Sequence, residues 1–494
     1  MGELYFQCHR GTYTSQASIK RGNRKSELAL REAEMWSVAS QDGVAYPLET
    51  LDRCWKGVLL NQFHDILPGS SIARVYEEAR RLYDGILADA AQITENACRS
   101  LTAGAGKTYF NSLSWPRTAL VRTKTGYGRV TIPPCGWTSE VDEHLPEQPV
   151  TTAEDGEGIL LGNGLLSVRI NALGELTDCR DAQGHRRIGE KANVLRLFKD
   201  VPRKYDAWDI DSMVTQCPVA LDGESRIELI ENTPWRAAVR VTRRVSHSDW
   251  TQVISLEAGS TRIDFDTQVD WHEKHRLLKA AFPTGIHADE GINEIQFGFV
   301  KRPTHRSRPY DADRFEVCNH RYTALCDEKR GAAVLNESKY GVSMLGDEIA
   351  LTLLRAPVSP DADADQGAHR FVYSYYLWDG AFADCGVVRE GYELNVPVTV
   401  SEGTAEAFSM MSVDAPNVVI DTVKAAEDGS GDVIVRLYES KHAACDAQLV
   451  IHLPVASIEA CDMLENPTET LGLRDGRVSL SFRGFEIKTL RLHR

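Results

Sequence analysis

A chain of 494 residues is longer than one hydrophobic core supports and predicts three or four domains. Its 42% hydrophobic and 26% charged content is that of an ordinary globular protein, and no stretch approaches the ~18 consecutive apolar residues of a membrane span. A net charge of −15 without a basic stripe argues against a nucleic-acid partner.

The eleven cysteines are scattered from Cys8 to Cys461 with no Cys-x-x-Cys pair. An odd, unpatterned set points to reduced thiols, and hence to the cytoplasm, rather than to a disulfide framework. The opening segment Met1 to Gln7 lacks the basic and apolar regions of a signal peptide, which agrees with a cytoplasmic location and no membrane attachment.

In chain order, Gly2 to Ser15 is a lead-in. A helix follows, with Ser26 as its N-cap and Leu28, Leu30, Ala33, Met35 and Trp36 as apolar positions. Gly43 and Pro47 mark a turn. Leu51, Trp55, Val58, Leu59 and Gln62 then repeat at helical spacing, until the polar pair His64-Asp65 and the breaker Pro68-Gly69 end the pattern. Ser70 or Ser71 is placed to cap a third helix, whose apolar face includes Ile72, Tyr76, Ala79, Tyr83 and Ile86. Three amphipathic helices with short turns predict a bundle.

Beyond Gly104 the character changes to period-two alternation punctuated by Gly, Pro, Asn and Asp, as in Leu120–Val130, Leu165–Ile170, Ile263–Trp271 and Val433–Leu437. No long helix is expected there. The fold class is therefore α+β: an N-terminal three-helix bundle followed by mainly antiparallel β-sandwich domains. Boundaries are expected at 1–103 for the helices with their lead-in and 104–158 for a small β domain and linker. A large supersandwich is expected over 159–403 and a C-terminal sandwich over 404–494.

His64 and Asp65 carry the first chemical suggestion. An imidazole beside a carboxylate where a helix runs out can hold a metal or a sugar hydroxyl. It can equally be a capping or surface pair, and one histidine alone does not make a zinc site. The stretch Asn61-Gln62-Phe63-His64-Asp65-Ile66-Leu67-Pro68-Gly69-Ser70-Ser71, however, resembles the signature of glycoside hydrolase family 38, the retaining α-mannosidases, in its bacterial and cytosolic type. Further family-like stretches follow. They are Tyr205–Asp211, Arg302–Arg306, Ser338–Gly341, Leu354–Pro357 and Ser412–Asn417.

The resemblance implies that His64 is one ligand of an active-site Zn2+ and that Asp65 contacts the mannose. It also implies that the segment His9–Ser15 borders the sugar subsite, with His9 where relatives of the Golgi type carry an aromatic platform. Arg355 corresponds loosely to an arginine that reaches the active site from the β domain. Trp208 and Asp209 pair an apolar plate with an acceptor, although a core tryptophan flanked by turn carboxylates is the plainer reading.

Other motifs carry less. His272-Glu273-Lys274-His275 lacks the spacing of a zinc-protease helix and alternates like a strand. Asp361, Asp363 and Asp365 open like a calcium loop, but Gln366 and Val372 stand where that loop needs Gly and Glu, so a solvated acidic turn is expected. Neither a phosphate-cradling Gly-x-x-x-x-Gly-Lys nor a Gly-x-Ser-x-Gly elbow occurs.

Retention needs two carboxyl groups, one nucleophile and one acid/base. In the family both come from an N-terminal α/β barrel that also supplies the other zinc ligands. The expectation is therefore that these residues form the C-terminal part of an α-mannosidase and carry no catalytic carboxylate of their own. Their partners would be mannosides and the missing barrel domain, and their acidic β domains are compatible with a homo-oligomer. The whole enzyme would attack the anomeric carbon with an aspartate, pass through a covalent glycosyl-enzyme and hydrolyse it with retention. A stand-alone, non-catalytic carbohydrate-binding β-sandwich protein is the alternative.

Overall fold

The computed structural model describes residues 3, 8–40, 44–124 and 126–494. Three helices lead: α1 (Ala17–Ala39), α2 (Leu48–Asn61) and α3 (Ala73–Ser100). They pack through Ile19, Leu30 and Ala33 of α1, Leu51, Cys54 and Val58 of α2, and Tyr76, Ala79, Tyr83, Ile86 and Ala90 of α3. The apolar spacing of all three is what brings these side chains onto one axis.

Details of the helix ends differ from expectation. Ser26 is buried in the middle of α1, which begins at Ala17 because the Asp365 carboxylate accepts from the backbone N–H of Gln16 (2.8 Å) and Ala17 (2.7 Å). The cap thus comes from across the molecule, and it satisfies N–H groups that the helix leaves orphaned. The acidic turn is correspondingly not solvated. Asp361 and Asp365 are both buried, and Asp361 accepts from the Gln16 amide at 2.7 Å.

Helix α2 is rotated relative to the expected stripe, so Cys54 faces inward while Leu59, Leu60 and Phe63 are exposed. Helix α3 has no side-chain cap; Ser70 instead donates to Asp65 (2.9 Å), and the Ser71 N–H donates to the Tyr76 hydroxyl (2.5 Å). The turn expected at Gly43 lies outside the described residues.

The β region is antiparallel throughout its described pairings. Ala103–Asn111 lies between Gly136–Thr138 and the distant strand Thr399–Thr404, beside the hairpin Arg117–Arg122/Tyr127–Ile132. The expected seam near Ser401 is therefore a strand, and the small β domain is built from two separated parts of the chain. Thr151–Asp155, within the expected linker, opens a four-stranded sheet that runs to Leu176–Asp181.

A nine-stranded sheet from Ser225–Asn232 to Gly298–Pro303 and a six-stranded sheet containing Val194–Lys199, Arg276–Pro283 and Glu348–Arg355 share one core. Alternation explains how. In Arg262–Trp271, Ile263, Phe265, Val269 and Trp271 point inward while Asp264, Asp266, Gln268 and Asp270 do not. A short helix that the sequence reading did not contain, α4 (Val387–Asn395), crosses before the terminal sandwich of five- and three-stranded sheets. No helix among the described residues is long and apolar enough to cross a membrane.

Candidate functional site

Three segments singled out by sequence, 9–15, 62–71 and 205–211, are linked in space through the first of them. The first is wound as a short 3-10 turn, Gly11–Tyr13, and is pinned from both sides. On one side its Gly11 N–H donates to the Trp208 carbonyl (2.8 Å), and the Ser15 hydroxyl donates to the Ala207 carbonyl (2.9 Å). Arg10 adds an ion pair with Asp209 (3.2 Å) and lies over the Phe315 ring. On the other side Ser15 abuts the turn that follows α2.

That second junction explains Pro68-Gly69. Gly69 has φ of +91°, and a Cβ there would stand 2.4 Å from the Ser15 carbonyl oxygen, so only glycine fits. Lys20 bridges the same two segments, its ammonium donating to the carbonyls of Ser15 and Leu67. Burial pushes the Lys20 amine down to about 7.

The turn so anchored presents His64 and Asp65. The His64 side chain is 73% exposed, with Nε2 3.5 Å from Asp65 Oδ2, and its ring leans on Phe63. Asp65 Oδ1 accepts from Ser70, and its backbone carbonyl accepts from Tyr76 (3.2 Å), which fixes the carboxylate's direction. An exposed imidazole and an oriented carboxylate are donor types suited to zinc. Among the described residues no group of three or more His, Cys, Asp or Glu side chains converges as a metal site.

His9 lies edge-on to Trp208, with ring centroids 5.2 Å apart, so these two residues form one half-buried aromatic corner. Trp208 is thereby neither a core residue nor isolated.

Arg355 stands behind this corner, fully buried. Its Nε donates to Asp200 (2.6 Å), Nη1 to the Ser15 hydroxyl (3.0 Å) and Nη2 to the Asp209 carbonyl (2.6 Å). Gly11 makes room for it, since a Cβ there would be 2.4 Å from Nη1. Burial raises the Asp200 carboxyl and the Arg355 charge opposes that rise. With no exposed atom, Arg355 is a positioning residue that ties 9–15 to 205–211, not a group offered to solvent. Asp206 completes the loop's anchorage by accepting from Val358 N–H (2.7 Å), Ser359 N–H (3.1 Å) and His275 (3.1 Å).

Sequence reasoning did not find Lys20, Asp200 or the paired role of Gly11 and Gly69. Only Gly69 carried a local signal, as a breaker within the family-like motif.

Three family models match the chain in order. The "Alpha mannosidase middle domain" matches residues 7–101, the "Glycosyl hydrolases family 38 C-terminal domain" residues 161–363, and the "Glycosyl hydrolases family 38 C-terminal beta sandwich domain" residues 417–490. Among curated proteins, Alpha-mannosidase 2C1 of Homo sapiens is 36% identical over 524 residues, covering 100% of this chain and 50% of that protein. Alpha-mannosidase G of Dictyostelium discoideum is 31% identical, covering 99% and 52%. The chain spans about half the length of the curated relatives it matches. In fold it is similar to the crystal structure of an alpha-mannosidase from Enterococcus faecalis V583, with a TM-score of 0.81 at 17% identity over 98% of this chain and 68% of that one.

Proposed function

We propose, for a chain that belongs to glycosyl hydrolase family 38, that its helix-end turn forms part of the site of a zinc-dependent retaining α-mannosidase acting on terminal α-linked mannose. The observation that carries this reading is the exposed His64-Asp65 pair, held on a turn that abuts Ser15 at Gly69 and is tied to it through Lys20. His64 would be one ligand of the zinc ion, with the remaining ligands on polypeptide outside these residues. When bound, zinc supplies Lewis-acid charge at the sugar hydroxyls.

The chain's own residues bind and orient. Asp65, one oxygen engaged by Ser70, turns the other toward a mannose hydroxyl. His9 and Trp208 offer an aromatic corner to a pyranose face. Arg355 keeps that corner in register from behind. The nucleophile and the acid/base are assigned to the family's barrel, so these residues alone are inactive. The eleven free cysteines support a cytoplasmic setting.

Two measurements test the reading. An aryl α-mannoside incubated with the 494-residue chain and zinc should give no turnover, and zinc-dependent hydrolysis would overturn the assignment of the catalytic carboxylates. In an enzyme completed with a family barrel, His64→Ala should lower zinc content and activity together, and unchanged zinc content would remove His64 from the ligand set.

A further inference from the structure

The turn that carries His64 is anchored at both of its ends. Downstream it abuts Ser15 at Gly69 and is tied to it through Lys20. Upstream it starts from Gln62, the residue that closes α2, whose backbone N–H donates to the carbonyls of Val58 (3.1 Å) and Leu59 (3.2 Å). Between these ends the Phe63 carbonyl accepts from the N–H groups of Ile66 (2.9 Å) and Leu67 (3.2 Å), so the backbone closes tightly around His64 and Asp65. The His64 side chain is itself largely exposed, and its direction therefore follows from the backbone beneath it.

Helical spacing places Gln62 on the apolar stripe of α2, yet its contacts are polar. Its amide nitrogen donates both hydrogens to α1, one to Asn23 Oδ1 (3.0 Å) and one to Glu27 Oε1 (2.9 Å). Asn23 and Glu27 are four residues apart, so they stand one above the other on the same helix face. A planar amide held at two points fixes the rotation of the last turn of α2 as well as its distance from α1. An apolar side chain packed there would fix the distance alone. Burial raises the Glu27 carboxyl, and Arg24, Asn23, Gln62 and Arg321 oppose that rise, so the contact favours the charged acceptor and is the stronger for it. On the other side Asn61 donates to the Ala79 carbonyl of α3 (3.3 Å).

We propose that Gln62 is a positioning residue for His64: by gripping Asn23 and Glu27 it sets the direction in which the end of α2 presents the imidazole. That the imidazole meets zinc rests on the mannosidase reading; the grip on α1 and its effect on the ring do not. A metal ligand tolerates only about 0.5 Å of misplacement, so the grip should be felt at the metal.

The test exchanges the partners. Gln62→Leu removes both donors, and Gln62→Glu sets one carboxylate against another. The double variant Gln62→Glu/Glu27→Gln again opposes a donor to an acceptor, and the Asn23 amide can turn its NH2 toward the new carboxylate. In the 494-residue chain without zinc, the His64 ring resonances in NMR should shift or broaden in both single variants and return in the double variant. In an enzyme completed with a family barrel, zinc affinity should fall about tenfold or more in the single variants and recover to within about threefold of the parent in the double variant. Should Gln62→Glu not fold by circular dichroism, Gln62→Leu decides.

Ring resonances and zinc affinity indifferent to Gln62→Leu, or a loss that the double variant does not recover, overturn the proposal. A lowered unfolding midpoint with resonances and zinc affinity intact overturns it too, because Gln62 would then only hold the helices together. Unchanged zinc content in His64→Ala, with the ring resonances still following the Gln62 series, removes the zinc reading and supports the grip. Zinc lost in His64→Ala but kept in Gln62→Leu, with the resonances unmoved, does the reverse.

Discussion

The turn after α2 and the floor around Arg355 are built in opposite ways. At the turn, the His64 side chain is largely exposed, with its sequence neighbours Phe63 and Asp65 beside it. Around Arg355 every nitrogen of the guanidinium is engaged and the paired Asp200 is 2% exposed. A group poised to take a new partner has to be left uncommitted, whereas a group that sets geometry has to be committed completely. The division of labour follows from burial: charge in the interior is tolerated only when paired, and charge or lone pairs at the surface remain available.

This contrast can be broken experimentally, and the largest effect belongs to the exposed side. In a completed enzyme His64→Ala should lower activity by roughly a hundredfold or more, while thermal unfolding of the chain shifts by no more than about 0.5 kcal/mol. A large loss of stability instead would show that His64 supports the fold. Arg355→Ala should do the converse. Removing one partner of a buried ion pair costs about 3–5 kcal/mol, read as a lowered denaturation midpoint, and a neutral result would deny the floor its structural role.

Gly69→Ala probes the joint between the two. A positive φ combined with a contact at 2.4 Å should cost about 2–3 kcal/mol, and a variant as stable as the parent would mean that the turn relaxes away from Ser15.

The smallest effect is the pH dependence that Lys20 contributes. Its amine titrates at about 7 in the folded chain and at 10.5 when unfolded. Below pH 7 both states are protonated, and the folded state bears the whole burden of a buried ammonium. As pH rises from 7 towards 10.5 only the unfolded chain stays protonated, so this burden lifts and stability rises, by at most about 1.4 kcal/mol per pH unit. Urea midpoints measured between pH 7 and 8.5 should show a rise in the parent that flattens in Lys20→Met; identical slopes would remove Lys20 from the account.

Where chemistry was local, the sequence was a sufficient guide. The broken helix, the family-like turn with His64 and Asp65, and the alternating strands of the β region are all recorded in neighbouring residues. What escaped depends on partners far along the chain. The start of α1 is set by Asp365, 348 residues from Ala17, so no cap signal near Ala17 could announce it. The acidic turn that supplies this cap reads locally as a loop for solvent. Arg355 was visible as a candidate, but its burial was not, because Ser15, Asp200 and Asp209 converge on it only after folding. Lys20, Asn23, Arg24, Arg31 and Glu34 of α1 are spaced as one polar helix face and all are buried, and nothing in the neighbouring sequence says that such a face turns inward.

The pairing of Ala103–Asn111 with Thr399–Thr404 bears on how this protein can be divided. Between those two strands lies the entire supersandwich, which is inserted into the first sheet like a cassette and does not simply follow it. A recombination event that separates the chain just before residue 399 would take from Ala103–Asn111 its longer partner and leave it paired with the short strand Gly136–Thr138 alone. Duplication, shuffling or fusion within this lineage should therefore preserve both halves of that sheet together, and boundaries drawn as consecutive blocks will yield pieces that fail to fold alone.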